Sequence, residues 1–206
     1  VEQFAKDSTV IASAYSPSFI SPSNLPNHSL CTDLGIHTPS YTPTLVPHLH
    51  PITLKNGVSS GVTVLHTPGH TPDELALWDD AEQMLYVGDT LYEHAPIIFP
   101  SEGSITEWLH TVDMLRDFVA ARARTKADTV RINCGHATAA KPALEVLVAA
   151  KGFILDVLAG KEPERGRTTS RGEVRVEYKQ RGGRFALICP ERLVLEARKA
   201  NVRTKL

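Results

Sequence analysis

From residue 52 onward, apolar and polar positions alternate in a way that outlines paired strands. ITLK and GVTVLH flank Asn56-Gly57, a dipeptide suited to a tight β-turn, and so predict a hairpin. LALWD and QMLYVG, joined by a polar turn at Asp79–Glu82, predict the next pair. The apolar period then lengthens to three or four. Ser104 is placed to cap a helix, with Glu107 reaching back to complete a capping box. Ile105, Trp108, Leu109, Val112, Leu115 and Phe118 fall on one face of that helix. DTVRINC (residues 128–134) reads as a further strand. A second helix runs from near Pro142 to Gly160, with Leu144, Leu147, Val148, Ile154, Leu155 and Leu158 supplying its apolar face. Beyond a charged connection, EVRVEY and FALIC read as strands and PERLVLEARK as a helix. Nearer the start, VEQFAK reads as the last turns of a helix and residues 9–14 as a strand. Strands and helices interleave without a doubly wound repeat, which predicts a layered α/β domain.

Residues 15–51 break the pattern. Prolines at 17, 22, 26, 39, 43, 47 and 51 make helix unfavourable there, since each lacks an N–H donor and restricts the residue before it. A loop of this length is either plain surface packing or a flap on the substrate side.

Composition narrows the class of partner. With 206 residues, 42% of them hydrophobic, the chain can bury a real core as one domain. A formal net charge of -1 provides no global attraction to nucleic acid or anionic lipid. No apolar run reaches the ~20 residues that span a bilayer. Three scattered cysteines, Cys31, Cys134 and Cys189, form neither a disulfide framework nor a CxxC zinc site, and favour a cytoplasmic setting.

The candidate chemistry lies in three turns, each directly after an apolar strand. His70 sits in HTPGHTPDE, Asp89 in MLYVGDTLYE and His136 in VRINCGHATAA, each beside a glycine that frees the backbone to turn. Two imidazoles and a carboxylate are a donor set for zinc, with iron as the alternative. Thr71 and Asp73 are placed to orient the His70 ring. Tyr92 and His94 follow Asp89 where the wall of a substrate pocket would lie. His66, His48 and His50 read as packing or loop histidines, and Cys134 as a small buried residue. The basic residues between 161 and 184 are interrupted by Glu162, Glu164, Glu173 and Glu177, so they read as a solvated hairpin and its loop.

HTPGHTPDELALW, VGDTLY and NCGHAT together resemble the third, fourth and fifth metal motifs of the metallo-β-lactamase-fold superfamily. That resemblance implies an αββα sandwich in which the residues matching His70, Asp89 and His136 bind, bridge and bind a pair of metal ions. It also implies a small-molecule substrate carrying an ester, thioester or amide, hydrolysed by metal-activated water. The nearest branch looks acyl-CoA thioesterase-like, which makes an acyl-CoA-type ester one candidate. An iron-dependent oxidoreductase or sulfur dioxygenase of the same fold is the second class. The family's HxHxDH motif is not among the 206 residues. The expectation is therefore a single metallo-β-lactamase-like domain over residues 1–206, its N-terminal portion missing, with residues 15–51 as a loop insertion. Such a chain would hold at most one metal ion, weakly. A truncated, non-catalytic domain that associates with other chains is the third class, and a homo-oligomer is expected.

Overall fold

A computed structural model describes residues 8–203 apart from 30, 32, 124–129 and 171. The helix predicted in VEQFAK and the first two residues of the predicted strand 128–134 lie outside the described residues. The described residues form three sheets and four helices. β1 (Ile11–Ser13) and β2 (Thr44–Val46) make a small parallel pair. β3 (His50–Thr53), β4 (Ser59–His66), β5 (Leu75–Asp79), β6 (Met84–Tyr86), β8 (Arg131–Asn133) and β9 (Lys141–Pro142) form a six-stranded sheet in that order. β10 (Glu164–Ser170), β11 (Glu173–Lys179), β12 (Ala186–Pro190) and β7 (Pro96–Ile98) form a four-stranded one.

Strand direction in the larger sheet matters most for the site. β4 runs antiparallel to β5, β5 antiparallel to β6, and β6 parallel to β8. β4, β6 and β8 therefore point the same way, and the loops leaving them emerge along one edge of the sheet. The predicted hairpins are present, and Gly57 takes φ +78 in the β3–β4 turn.

Helix α2 (Ile105–Ala120) packs against both α3 (Ala143–Leu158) and α4 (Glu191–Arg203). One apolar core joins the sheets and helices: Leu65, Trp78 and Leu85 from the six-stranded sheet, Ile97, Val176 and Leu187 from the four-stranded one, and Trp108, Leu115, Phe153 and Val194 from the helices.

The structure corrects three details. Ser104 caps α2 by accepting from the Glu107 N–H at 3.2 Å, but its own N–H donates to the Gly69 carbonyl, and Glu107 accepts from the Tyr15 hydroxyl instead. Only half of the capping box forms, because the loop before the helix already satisfies the other donor. On α3 the buried face is Ala143, Val146, Leu147, Ala150, Phe153, Ile154, Val157 and Leu158, while Leu144, Val148 and Leu155 are exposed. The charged connection forms the solvated hairpin read for residues 161–184, with β10 paired to β11. Residues 15–51 contain β2 and one short turn of helix, α1 (Leu25–His28), with Pro26 in its first turn, where a missing N–H costs nothing. Among the described residues no helix is long and apolar enough to cross a membrane.

Candidate functional site

Each of the three turns is held partly by its own backbone and partly by elements distant in sequence. After β4, the Thr67 N–H donates to Glu74 O and the Gly69 N–H to Thr71 O, closing a tight loop around His70. Thr111 of α2 donates its hydroxyl to Pro68 O at 2.6 Å, which clamps this loop onto the helix. Gly69 lies against the backbone of Trp108 with φ +138, a place where no Cβ fits. After β6 and β8, the parallel pairing continues past the strands: Val87 N–H donates to Asn133 O, and Gly135 N–H to Gly88 O at 2.6 Å. That zipper sets the Asp89 and His136 turns side by side. Gly135 packs so closely on Asp89 Oδ1 that any side chain there would displace the carboxylate.

The three side chains line one cavity of 540 Å³, together with Thr71 and Tyr92. Asp89 Oδ1 and His136 Nε2 are 3.4 Å apart. The His136 ring meets Tyr92 edge-on at 4.7 Å. His70 shares the cavity, but its Nε2 donates to the Ile98 carbonyl at 3.0 Å, and its Nδ1 lies 3.6 Å from Glu74 Oε1. Burial holds the His70 imidazole below its ordinary pKa, against the opposing pull of the Ile98 carbonyl and the Asp89 and Asp73 carboxylates. Burial likewise raises the Tyr92 phenol, with Asp89 adding to it, so Tyr92 remains a hydrogen-bond donor.

The other predicted residues divide. Thr71 donates to Asp73 Oδ1 at 2.8 Å, a bond that stiffens the His70 turn without touching its ring. His94 is exposed with φ +62, its N–H donating to the Arg184 carbonyl, and it does not line the cavity. His48 and His66 pack together elsewhere: His48 Nδ1 accepts from the His66 N–H at 3.0 Å, and the buried His66 ring bonds the Val46 carbonyl. His50 begins β3. Cys134 is partly buried, its thiol pushed up to about 12 by desolvation, and Cys189 is wholly buried with the same shift for the same cause. Neither is a thiolate at neutral pH.

Glu74 is not legible as a site residue in the sequence. Burial pushes its carboxyl well above the usual range. Its Oε2 has no hydrogen-bond partner among the described residues, although the Thr90 hydroxyl is near enough to temper the shift. Its spacing from His70, four residues in a turn that doubles back on itself, is the available signal. Asn27 and His28 of the proline-rich segment also reach this cavity, as do Ser101, Glu102 and Arg175.

As a donor set, two imidazoles and a carboxylate suit a divalent transition metal. As placed, two of the three are in contact, while the third is held by a backbone carbonyl. Among the described residues no three His, Cys, Asp or Glu side chains stand together as a metal site.

Residues 16–125, just over half of the chain and including His70 and Asp89, match the family described as the metallo-beta-lactamase superfamily. The chain belongs to that superfamily. A metallo-beta-lactamase family protein from Thermus thermophilus shares the fold at a TM-score of 0.51 and 18% identity, covering 79% of this chain and 58% of that one. A second solved structure, described as a di-iron-bound form, matches at a TM-score of 0.46 and 18% identity, covering 68% and 62%. Among curated sequences, "Putative transcription factor avaE" of Aspergillus versicolor is 29% identical over 161 residues. That match takes in 76% of this chain and 47% of the relative, so the chain spans about half the length of the curated protein it matches.

Proposed function

We propose that this chain is a metal-dependent hydrolase of its superfamily, acting on an ester, thioester or amide in the 540 Å³ cavity. One observation carries the reading: three co-directional strands deliver His70, Asp89 and His136 to the lining of one cavity, of a size that takes a small organic substrate. Asp89 and His136 would hold the ion, and His70 would join them on releasing the Ile98 carbonyl. A zinc ion bound there would supply Lewis acidity and a water of lowered pKa. The chain itself supplies the rest. Tyr92 steadies the His136 ring and offers a phenolic donor to substrate, and Asn27 and His28 bring the 15–51 segment to the cavity as a flap. The three free cysteines suit a reducing, cytoplasmic setting, and the exposed Leu144, Val148 and Leu155 of α3 support self-association.

The His70–Ile98 hydrogen bond favours a second reading, a metal-poor domain that binds rather than reacts. The two separate in one measurement. The 206-residue chain is equilibrated with zinc or with iron(II), gel-filtered, analysed for metal, and assayed on an acyl thioester and an activated ester. The hydrolase reading expects a single zinc per chain, lost in Asp89→Asn and His136→Gln, with hydrolysis lost alongside. Iron retention with thiol oxidation would redirect it to the redox branch. No retained metal and no turnover would leave the binding domain.

A further inference from the structure

The candidate cavity also holds a cation that makes no direct ion pair among the described residues. Arg175 of β11 is half-buried and lines the same space as Asp89 and His136. Its Nη2 donates to the Phe99 carbonyl at 2.7 Å, and the Glu173 carboxylate on the same strand acts on it only at longer range, without a direct ion pair. A bond to a backbone oxygen fixes the guanidinium plane but neutralises none of its charge. The neighbouring carboxylates are engaged. Glu173 accepts from Arg192 Nε through Oε1 at 2.7 Å and from the Ser101 hydroxyl through Oε2 at 2.5 Å. Glu102, on the cavity lining, is held by His28 at 2.8 Å. Asp89 lies against His136.

A guanidinium carries five N–H donors in a rigid fork that fits two oxygens of one anion. Leaving that fork unmatched in a half-buried cavity is costly, and an incoming oxyanion relieves the cost. Ser170, at the end of the paired strand β10, lines the same cavity and adds a hydroxyl.

Resting on the hydrolase reading above, we infer that Arg175 anchors a substrate oxyanion. The ester, thioester or amide hydrolysed here carries a carboxylate or phosphate remote from the scissile bond, gripped by Arg175 with the help of Ser170. The proline-rich segment then has a role, since Asn27 and His28 cover the same cavity and would enclose the gripped end. Arg175 is a specificity residue and takes no part in bond cleavage.

The decisive measurement is binding to the metal-free chain, so that no anion can sit on an ion. Monomethyl succinate, methyl phosphate and the neutral dimethyl succinate are titrated by NMR or calorimetry. We expect one of the anions to bind roughly 10- to 100-fold tighter than the neutral diester, the tighter of the two identifying carboxylate or phosphate. Arg175→Gln should abolish that preference. Arg175→Lys, which keeps the charge but not the fork, should retain part of it and shows that loss in the glutamine variant is not misfolding. Equal binding of anionic and neutral probes, or an undiminished preference in Arg175→Gln, overturns the inference. A parallel assay of the zinc-loaded chain compares p-nitrophenyl hemisuccinate with p-nitrophenyl butyrate, where the preference should appear in KM and leave kcat in place. Anion binding without any turnover would sink the hydrolase reading while the Arg175 site stands.

Discussion

Gly69 shows how far the His70 turn depends on one absent side chain. Its backbone lies on that of Trp108, and its φ of +138 is a conformation L side chains rarely adopt. Gly69→Ala should lower stability by roughly 2–4 kcal/mol, from strain and overpacking together, measured as the shift in a urea midpoint. The glycine is visible in the sequence, but the helix it rests on is not, because Trp108 lies far along the chain. His48 presents the same problem in electrostatic form. Its Nδ1 must stay unprotonated to accept from the His66 N–H, and burial with the nearby His66 holds its pKa below 6.5. A histidine depressed in the folded state contributes stability that is present above its unfolded pKa and lost as pH falls through its folded pKa. Thermal stability should therefore fall as pH is lowered from 6.5, and His48→Gln should flatten that fall. Parallel pH profiles for the two proteins would show that His48 has no part in it. HLH in the sequence reads as loop histidines, and nothing in the spacing indicates that His66 is its partner.

At the scale of elements, legibility follows amphipathicity. Helix α2 has charged residues on one side and apolar ones on the other, and the predicted core positions are nearly all buried, with Phe118 packed at the margin. Helix α3, ALEVLVAAKGFILDVL, is apolar almost all round, so periodicity cannot choose its face, and Leu144, Val148 and Leu155 face out although the spacing predicts them inward. Packing against α2 and β8 makes the choice. The energetic consequence is direct. Leu147→Ala should cost about 2–5 kcal/mol, whereas Val148→Ala, more than half exposed, should stay within about 0.5 kcal/mol. Equal losses in denaturation would return α3 to the orientation read from the sequence. The bounds of β10 are hidden for the opposite reason. ERGRTTS is exposed along nearly its whole length and carries no alternation to read, and only pairing with β11 makes it a strand.

Across the whole molecule, the site is a consequence of topology. The sequence offers three strand-to-turn junctions; that they share a sheet edge follows from the alternating directions of β4, β5 and β6 and the parallel step to β8. Arg175 is visible only as one charge in a basic stretch, because its position depends on a sheet that joins β7 to strands far along the chain. The two turns bearing Asp89 and His136 meet at Gly135, whose N–H bonds the Gly88 carbonyl and whose Cα faces the Asp89 carboxylate. Gly135→Ala should therefore displace Asp89 from His136 while leaving the core, which it does not touch, largely intact. The expected result is a loss of zinc affinity of roughly tenfold or more, as for other residues that hold a ligand in place, with a much smaller effect on melting. Gly152→Ala makes the control. It sits in α3 with open space around its Cα and no positive φ, so alanine there should stabilise by about 0.5–1 kcal/mol and leave zinc binding alone. If Gly135→Ala instead binds zinc like the parent, Asp89 and His136 do not act together on a metal, and the cavity's chemistry must be sought among its other groups.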